Sequence, residues 1–154
     1  MIGKLPPTAA YDSSVADRVA RLNVMLKRQL GGYSKEKFDL TVVETRLILM
    51  LAMPGPNTVN HLANRSDLDR TQISRSIATL IRRDLVHRSP GPVDRREARL
   101  RLTKKGAAVH RKILAELVER NRVLISGLPA ETLASFFEVM ELLIARARSQ
   151  LRPS

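Results

Sequence analysis

The sequence predicts a mainly α-helical fold with one small β-hairpin, an α+β architecture. Apolar residues recur at helical spacing along most of the 154-residue chain. One short segment departs from this pattern, because Ala98, Leu100 and Leu102 alternate with Arg99 and Arg101, which is the period of a β-strand. Aromatic residues make up only 3% of the sequence, so we expect a core of aliphatic side chains.

The first helix is predicted over residues 12–30, where apolar residues return every three or four positions. Gly31 and Gly32 follow, and glycine is common just beyond the end of a helix, so we expect the helix to end there. Residues 1–11 contain two prolines and offer little to bury. They are predicted to form a flexible N-terminal arm.

The second helix is expected to begin after Thr41, because Thr41 and Glu44 have the spacing of a capping box. It should reach about Met53 and stop before the proline that follows. A third, short helix is predicted to start after Asn57 or Thr58, with its apolar positions turned inward.

The fourth helix is expected to begin after Asp69, with Gln72 in the return position of a second capping box. Its predicted buried stripe consists of Ile73, Ile77, Leu80, Ile81 and Leu85. Two short strands should follow, near residues 86–90 and 98–102, joined by a loop that is rich in proline and arginine.

A long helix is expected after Thr103, and a last helix after a Gly-Leu-Pro break. The order helix, turn, helix and basic hairpin over about residues 38–103 is that of a winged helix-turn-helix. Residues of about 12–30 and 104–150 carry more apolar surface than this small module can cover, so they are predicted to be dimerisation helices. Residues 12–154 would then form a single domain.

Positive charge dominates the composition, since 27 Lys and Arg against 15 Asp and Glu give a net charge of +12. Residues 65–112 alone hold fourteen basic and five acidic residues, which concentrates the charge on the predicted helix-turn-helix and hairpin. Such an excess predicts a polyanionic partner, with double-stranded DNA the commonest and an anionic membrane surface the other candidate. With no cysteine, no signal peptide and no apolar stretch that could span a membrane, we expect a cytoplasmic protein without disulfides and without a membrane partner.

The second helix of a helix-turn-helix enters the major groove, and its first half meets the base edges. The residues expected to read bases are Thr71, Gln72, Arg75 and Thr79. Gln72 has a simpler alternative role, which is to close the capping box alone. Contacts to backbone phosphates are expected from Thr58, Arg70, Ser74, Arg82, Arg99 and Arg101. The tip of the hairpin is expected to enter the minor groove through Asp94, Arg95 and Arg96.

Residues 62–106 closely resemble the core of the MarR family of bacterial transcription regulators. The matching features are LDRTQISR at the start of the fourth helix, DRR at the wing tip and LRLTKKG at the start of the next helix. The resemblance implies a homodimer that binds a pseudo-palindromic operator, with Asp94 and Arg96 at the family's wing Asp-x-Arg positions. It also implies a repressor that a small aromatic or phenolic acid releases from DNA. The chain departs from the family at Asp67, where the family usually has glycine.

An effector of this kind would bind between the dimerisation helices and the DNA-binding lobe. The candidate lining residues are Met25, Tyr33, Phe38, Leu47 and Met50, which are equally compatible with plain core. No cofactor and no metal site are predicted, because the three histidines lie far apart in sequence and lack carboxylates at metal-ligand spacing. Nothing in the sequence predicts an enzyme. The alternative to a DNA-binding regulator is a winged-helix protein that acts through RNA or protein contacts without an operator.

Overall fold

The computed structural model describes residues 14–66, 68–90 and 98–150. In this part of the chain the elements are α1 (Val15–Phe38), α2 (Val42–Leu51), α3 (Val59–Asn64), α4 (Arg70–Arg82), β1 (Val86–Pro90), β2 (Ala98–Leu102), α5 (Lys104–Leu124) and α6 (Ala130–Gln150). The predicted mainly helical fold with a two-stranded wing is therefore confirmed. The predicted arm, residues 1–11, lies outside the described residues. The chain divides into two compact units, Met1–Leu117 and Val118–Ser154.

Helix α1 continues past the two glycines that were predicted to end it. It ends instead at Phe38, and its C-cap Asp39 takes the left-handed conformation with φ 52°. The reason lies in packing, because a Cβ atom added to Gly31 would lie 2.6 Å from Cγ2 of Val42. Gly31 therefore lets the start of α2 approach α1 closely, and it does not terminate the helix.

Helix α2 begins with the capping box that the sequence predicted. The Glu44 backbone N–H donates to Thr41 Oγ1 at 3.2 Å, and the Thr41 backbone N–H donates to Glu44 Oε2 at 2.8 Å. These two bonds satisfy amide groups that lack carbonyl partners inside the helix. Thr58 likewise caps α3 by accepting a hydrogen bond from the His61 backbone N–H at 3.2 Å.

The apolar core of the first unit lies between α2, α3, α4, the hairpin and the start of α5. Its fully buried side chains include Leu47, Ile48, Leu62, Ile73, Leu80, Leu100 and Ile113. Four residues of the stripe predicted for α4 and the segment after it are buried, namely Ile73, Ile77, Leu80 and Leu85. The prediction is wrong for Ile81, which is 37% exposed because it borders an open cavity beside the hairpin.

The two strands form an antiparallel hairpin with the predicted bounds, and Arg88 is paired with Leu100 in its register. Two backbone hydrogen bonds attach the hairpin to the segments that precede α3 and follow α4. The Leu100 N–H donates to the Asn57 carbonyl at 3.0 Å, and the Thr103 N–H donates to the Leu85 carbonyl at 3.1 Å. The wing strands are therefore fixed relative to α3 and α4.

Helices α1 and α6 expose long apolar faces in the single chain, and α5 exposes Leu114, Val118, Val123 and Leu124. On α1 these side chains are Val15, Val19, Leu22, Val24, Met25 and Leu26. On α6, which buries no residue, they are Phe136, Phe137, Val139, Leu142 and Ile144. None of the described helices combines the length and the apolar character that crossing a membrane requires.

Candidate nucleic-acid interface

Helix α4 presents a polar face at its start, on the side opposite its buried stripe. Thr71, Gln72 and Arg75 are all exposed, whereas Ile73 and Ile77 hold the other side in the core. Asp69 caps the helix by accepting from the Gln72 backbone N–H at 2.7 Å. Among the described hydrogen bonds of this predicted capping box, only the bond from the Gln72 backbone to the Asp69 side chain is formed. The exposed side-chain amide of Gln72 is therefore available to a ligand. A cleft of about 540 Å³ opens at this end of the helix.

The second half of α4 carries Thr79, which was predicted to read bases. Thr79 is half-buried, and its hydroxyl donates to the Arg75 carbonyl at 3.3 Å. The same oxygen accepts from Arg82 Nη2 at 3.0 Å. The hydroxyl is thus occupied within the helix, and its contact with Arg82 orients the exposed guanidinium of that residue.

The expected phosphate contacts differ in how accessible the structure makes them. Arg70 and Ser74 are exposed on α4. Thr58 is only 4% exposed, and its hydroxyl is used in capping α3. Its position therefore argues against a direct contact between Thr58 and a phosphate.

The hairpin divides its basic residues between two faces. Leu100 is buried against the helices, while Arg99 and Arg101 lie on the opposite face, as predicted from their alternation. Arg88 was missed, because the sequence did not show which residue of β1 is paired with Leu100. It is exposed on the face that carries Leu100 and borders a cavity of about 260 Å³ together with Ser74 and Ala78. The expected wing-tip residues Asp94, Arg95 and Arg96 lie outside the described residues, as does Asp67.

The five residues predicted to line an effector pocket are not brought together as one surface. Leu47 and Met50 are buried in the core, where they offer a ligand no surface, and Met25 is 62% exposed on α1. Tyr33 and Phe38 pack edge to face with their ring centroids 5.8 Å apart. A different cavity, of about 480 Å³, lies between α1 and α2 and is lined by Asn23, Lys27, Leu30, Val42, Val43, Arg46, Leu49 and Leu68. Within the described ranges, no three metal-ligating side chains are clustered.

Comparison with known proteins agrees with this geometry. Residues 40–106, from the start of α2 to the first turn of α5, match the family described as "Winged helix DNA-binding domain". This part of the chain is therefore similar to winged helix DNA-binding domains. By position in the fold, α4 corresponds to the recognition helix of such domains and the hairpin β1–β2 to their wing.

Solved structures extend the likeness beyond the winged helix domain. A MarR transcriptional regulator from Methanosarcina mazei Go1 is 17% identical, with a TM-score of 0.78 over 89% of this chain and 98% of that one. FabT from Streptococcus pneumoniae, crystallised in complex with DNA, is 17% identical with a TM-score of 0.76 over 89% of this chain and 97% of its own. The resemblance to MarR-family regulators is therefore confirmed for the fold.

A curated relative matches over a shorter stretch. It is YhbI of Bacillus subtilis (strain 168), described as an uncharacterized HTH-type transcriptional regulator, and it is 32% identical over 71 residues. The match covers 46% of this chain and 46% of the relative, so about half of each protein takes part in it.

Proposed function

We propose that the chain is a homodimeric transcription regulator that acts in the cytoplasm as a repressor of a pseudo-palindromic operator in double-stranded DNA. The observation that carries this proposal is the exposed polar start of α4, with Thr71, Gln72 and Arg75, on a helix whose opposite side is buried. Such a helix can enter the major groove without disturbing the core. FabT, which shares the fold, was crystallised with DNA, and this supports the same partner here.

The chemistry of each side chain decides whether it would contact bases or backbone phosphates. Arg75 can donate two hydrogen bonds to a guanine and Gln72 can pair with an adenine, while Thr71 meets a thymine methyl group. Backbone phosphates would be held by Arg70, Ser74, Arg82, Arg99 and Arg101. Asp94, Arg95 and Arg96 would enter the adjacent minor groove. There the Asp94 carboxylate would fix the orientation of the Arg96 guanidinium. The net charge of +12 suits this polyanionic partner.

Dimerisation is supported by the apolar faces that α1 and α6 expose in the single chain. Faces of this kind are normally covered, and a second copy of the chain is the commonest cover. A two-fold dimer would place two recognition helices about 34–36 Å apart, one turn of B-form DNA, which fits a pseudo-palindromic site.

Release from DNA by a small aromatic or phenolic acid is the regulatory part of the proposal. The cavity between α1 and α2 supports it, because apolar walls there accompany the cationic residues Lys27 and Arg46. Such a lining suits a ring that carries a carboxylate. A ligand there would act on α1 and α2 and not on the reading face of α4.

The experiment that tests the function selects bound fragments from genomic DNA, with and without aromatic acids. Enrichment of one pseudo-palindromic sequence, lost when an acid is added, is the expected result. Duplex RNA is offered in competition, because its major groove is too deep and narrow for the recognition helix. Preference for RNA, or no enrichment at all, would favour the alternative of RNA or protein contacts.

Arg75→Ala then tests the base-reading role on the selected operator. We expect it to relax the preference at one base pair per half-site and to cost about 1–3 kcal/mol of binding free energy there. Arg101→Ala is the matched control, because loss of a phosphate contact should weaken binding to all sequences alike. Equal losses on operator and random DNA for Arg75→Ala would contradict base reading by α4.

A further inference from the structure

Arg83 follows directly after the recognition helix and binds the end of another helix. Its Nη1 donates to the Asp39 carbonyl at 2.7 Å, and its Nη2 donates to the Phe38 carbonyl at 2.5 Å. Phe38 is the last residue of α1, and Asp39 is its C-cap. One guanidinium therefore joins the C-terminal end of α4 to the C-terminal end of α1, across 44 positions of sequence.

The charge and the geometry of this contact both favour an arginine at position 83 and fix the orientation of its guanidinium. The last carbonyls of a helix lack partners within it and carry the negative end of the helix dipole, so a cation is favoured there. A planar guanidinium with two parallel donors also fixes its own orientation, which a lysine ammonium does not. The Asp39 side chain is engaged with Lys35, whose hydrogen bond and charge lower the pKa of Asp39. The charge of Arg83 also lowers this pKa, to a smaller extent, but the hydrogen bond from Arg83 goes to the backbone carbonyl of Asp39.

The same end of α4 is held by the start of α5. Lys105 Nζ donates to the Arg83 carbonyl at 2.9 Å, and Thr103 Oγ1 donates to the Asp84 carbonyl at 2.7 Å. The recognition helix thus ends between α1 and α5, the two elements of the first unit that were predicted to take part in dimerisation. Its apolar contacts through Ile73 and Leu80 are non-directional, and the hydrogen bonds at its end add a directional restraint on its tilt.

We infer that Arg83 is a positioning residue that ties the recognition helix to α1 and so sets the half-site spacing that the dimer accepts on DNA. This inference rests on the proposed function. In a two-fold dimer any tilt of α4 against α1 occurs in both copies, so it changes the separation of the two reading faces twice over. A fixed separation selects operators of one spacing, and a loose one accepts several.

The test measures affinity for three duplexes: the selected operator, and versions with the half-sites one base pair closer or farther apart. Random DNA at several salt concentrations completes the set. Arg83→Ala should bind the operator about tenfold more weakly, the scale of a lost charged hydrogen bond, and should lose most of the spacing preference. Its affinity for random DNA and its salt dependence should not change. Arg83→Lys, which retains the charge and a single donor contact, should give an intermediate spacing preference.

Arg82→Ala is the matched control, because Arg82 is the neighbouring residue and is a proposed phosphate contact. It should weaken binding to every duplex, reduce the salt slope by about one and leave the spacing preference intact. An Arg83→Ala protein that melts at a lower temperature but keeps the wild-type spacing preference would show a purely structural role and overturn the inference. If Arg83→Ala does not fold, a wild-type spacing preference in Arg83→Lys would overturn it equally. A wild-type protein that binds no duplex would instead reject the proposed function itself.

Discussion

Gly106→Ala should destabilise the chain sharply, although alanine is the better helix former. Gly106 lies in the first turn of α5, and a Cβ atom built on it falls 1.9 Å from the carbonyl oxygen of Leu85. The three nearest atoms all belong to the backbone of Leu85, so no side-chain rotation can relieve the contact. The start of α5 and the segment between α4 and β1 would have to separate by about 1 Å or more.

The expected loss follows from three contributions. Overpacking of a tight contact costs about 1–3 kcal/mol. Separation would also weaken the two bonds from Thr103 to the Leu85 and Asp84 carbonyls, at about 1 kcal/mol each. The gain in intrinsic helix propensity offsets about 1 kcal/mol of this. We therefore expect the free energy of unfolding to fall by about 2–4 kcal/mol, and the melting temperature by about 5–12 °C.

Urea and thermal unfolding at one fixed protein concentration measure this change, because the stability of the proposed dimer would depend on concentration. Gly32→Ala is the matched control, since Gly32 also lies in a helix and a Cβ atom there meets nothing within 4 Å. It should raise the free energy of unfolding by up to about 1 kcal/mol. A Gly106→Ala protein as stable as wild type would refute the close approach of α5 to Leu85.

Two further predictions concern the cap of α2 and the dimer. Thr41→Ala removes the hydroxyl that accepts from the Glu44 N–H, so it should lower the free energy of unfolding by about 1 kcal/mol in thermal denaturation, and an unchanged melting temperature would contradict the capping box. Phe137→Glu places a charge on the exposed apolar face of α6, where Phe137 is 55% exposed, and should shift the protein from dimer to monomer in analytical ultracentrifugation. A wild type already monomeric at micromolar concentration would count against the dimer, and an unaltered dimer in the variant would remove α6 from its interface.

Local signals account for the parts of the fold that the sequence predicted well. The capping box at Thr41 depends on residues three positions apart, and the strand β2 on side chains that alternate over five positions. Each signal describes an interaction within one element or between adjacent ones. The bounds of both strands were likewise predicted from local sequence, in β2 from the alternation of its apolar and polar residues.

Long-range contacts account for what the sequence could not predict. Gly31 looks like a helix terminator until the position of Val42 is known, and Ile81 looks buried until the open cavity beside the hairpin is known. Arg83 was grouped with the other basic residues, because its acceptors are carbonyl groups that lie 44 and 45 positions earlier. Every residue type carries a backbone carbonyl, so the sequence does not show which carbonyl groups accept a side-chain hydrogen bond.

The candidate interface was predictable to the extent that it depends on one helix face. Side chains opposite a buried stripe must be exposed unless something covers them, so Thr71, Gln72 and Arg75 follow from the periodicity of α4 alone. The same argument gives no answer for Thr58 and Arg88, whose accessibility depends on how α3 and the hairpin meet. Thr58, a predicted phosphate contact, is buried, and Arg88, for which the sequence indicated no role, is exposed. The proposed recognition would therefore depend on a helix that the sequence specifies and on a wing whose placement is set by contacts between distant residues.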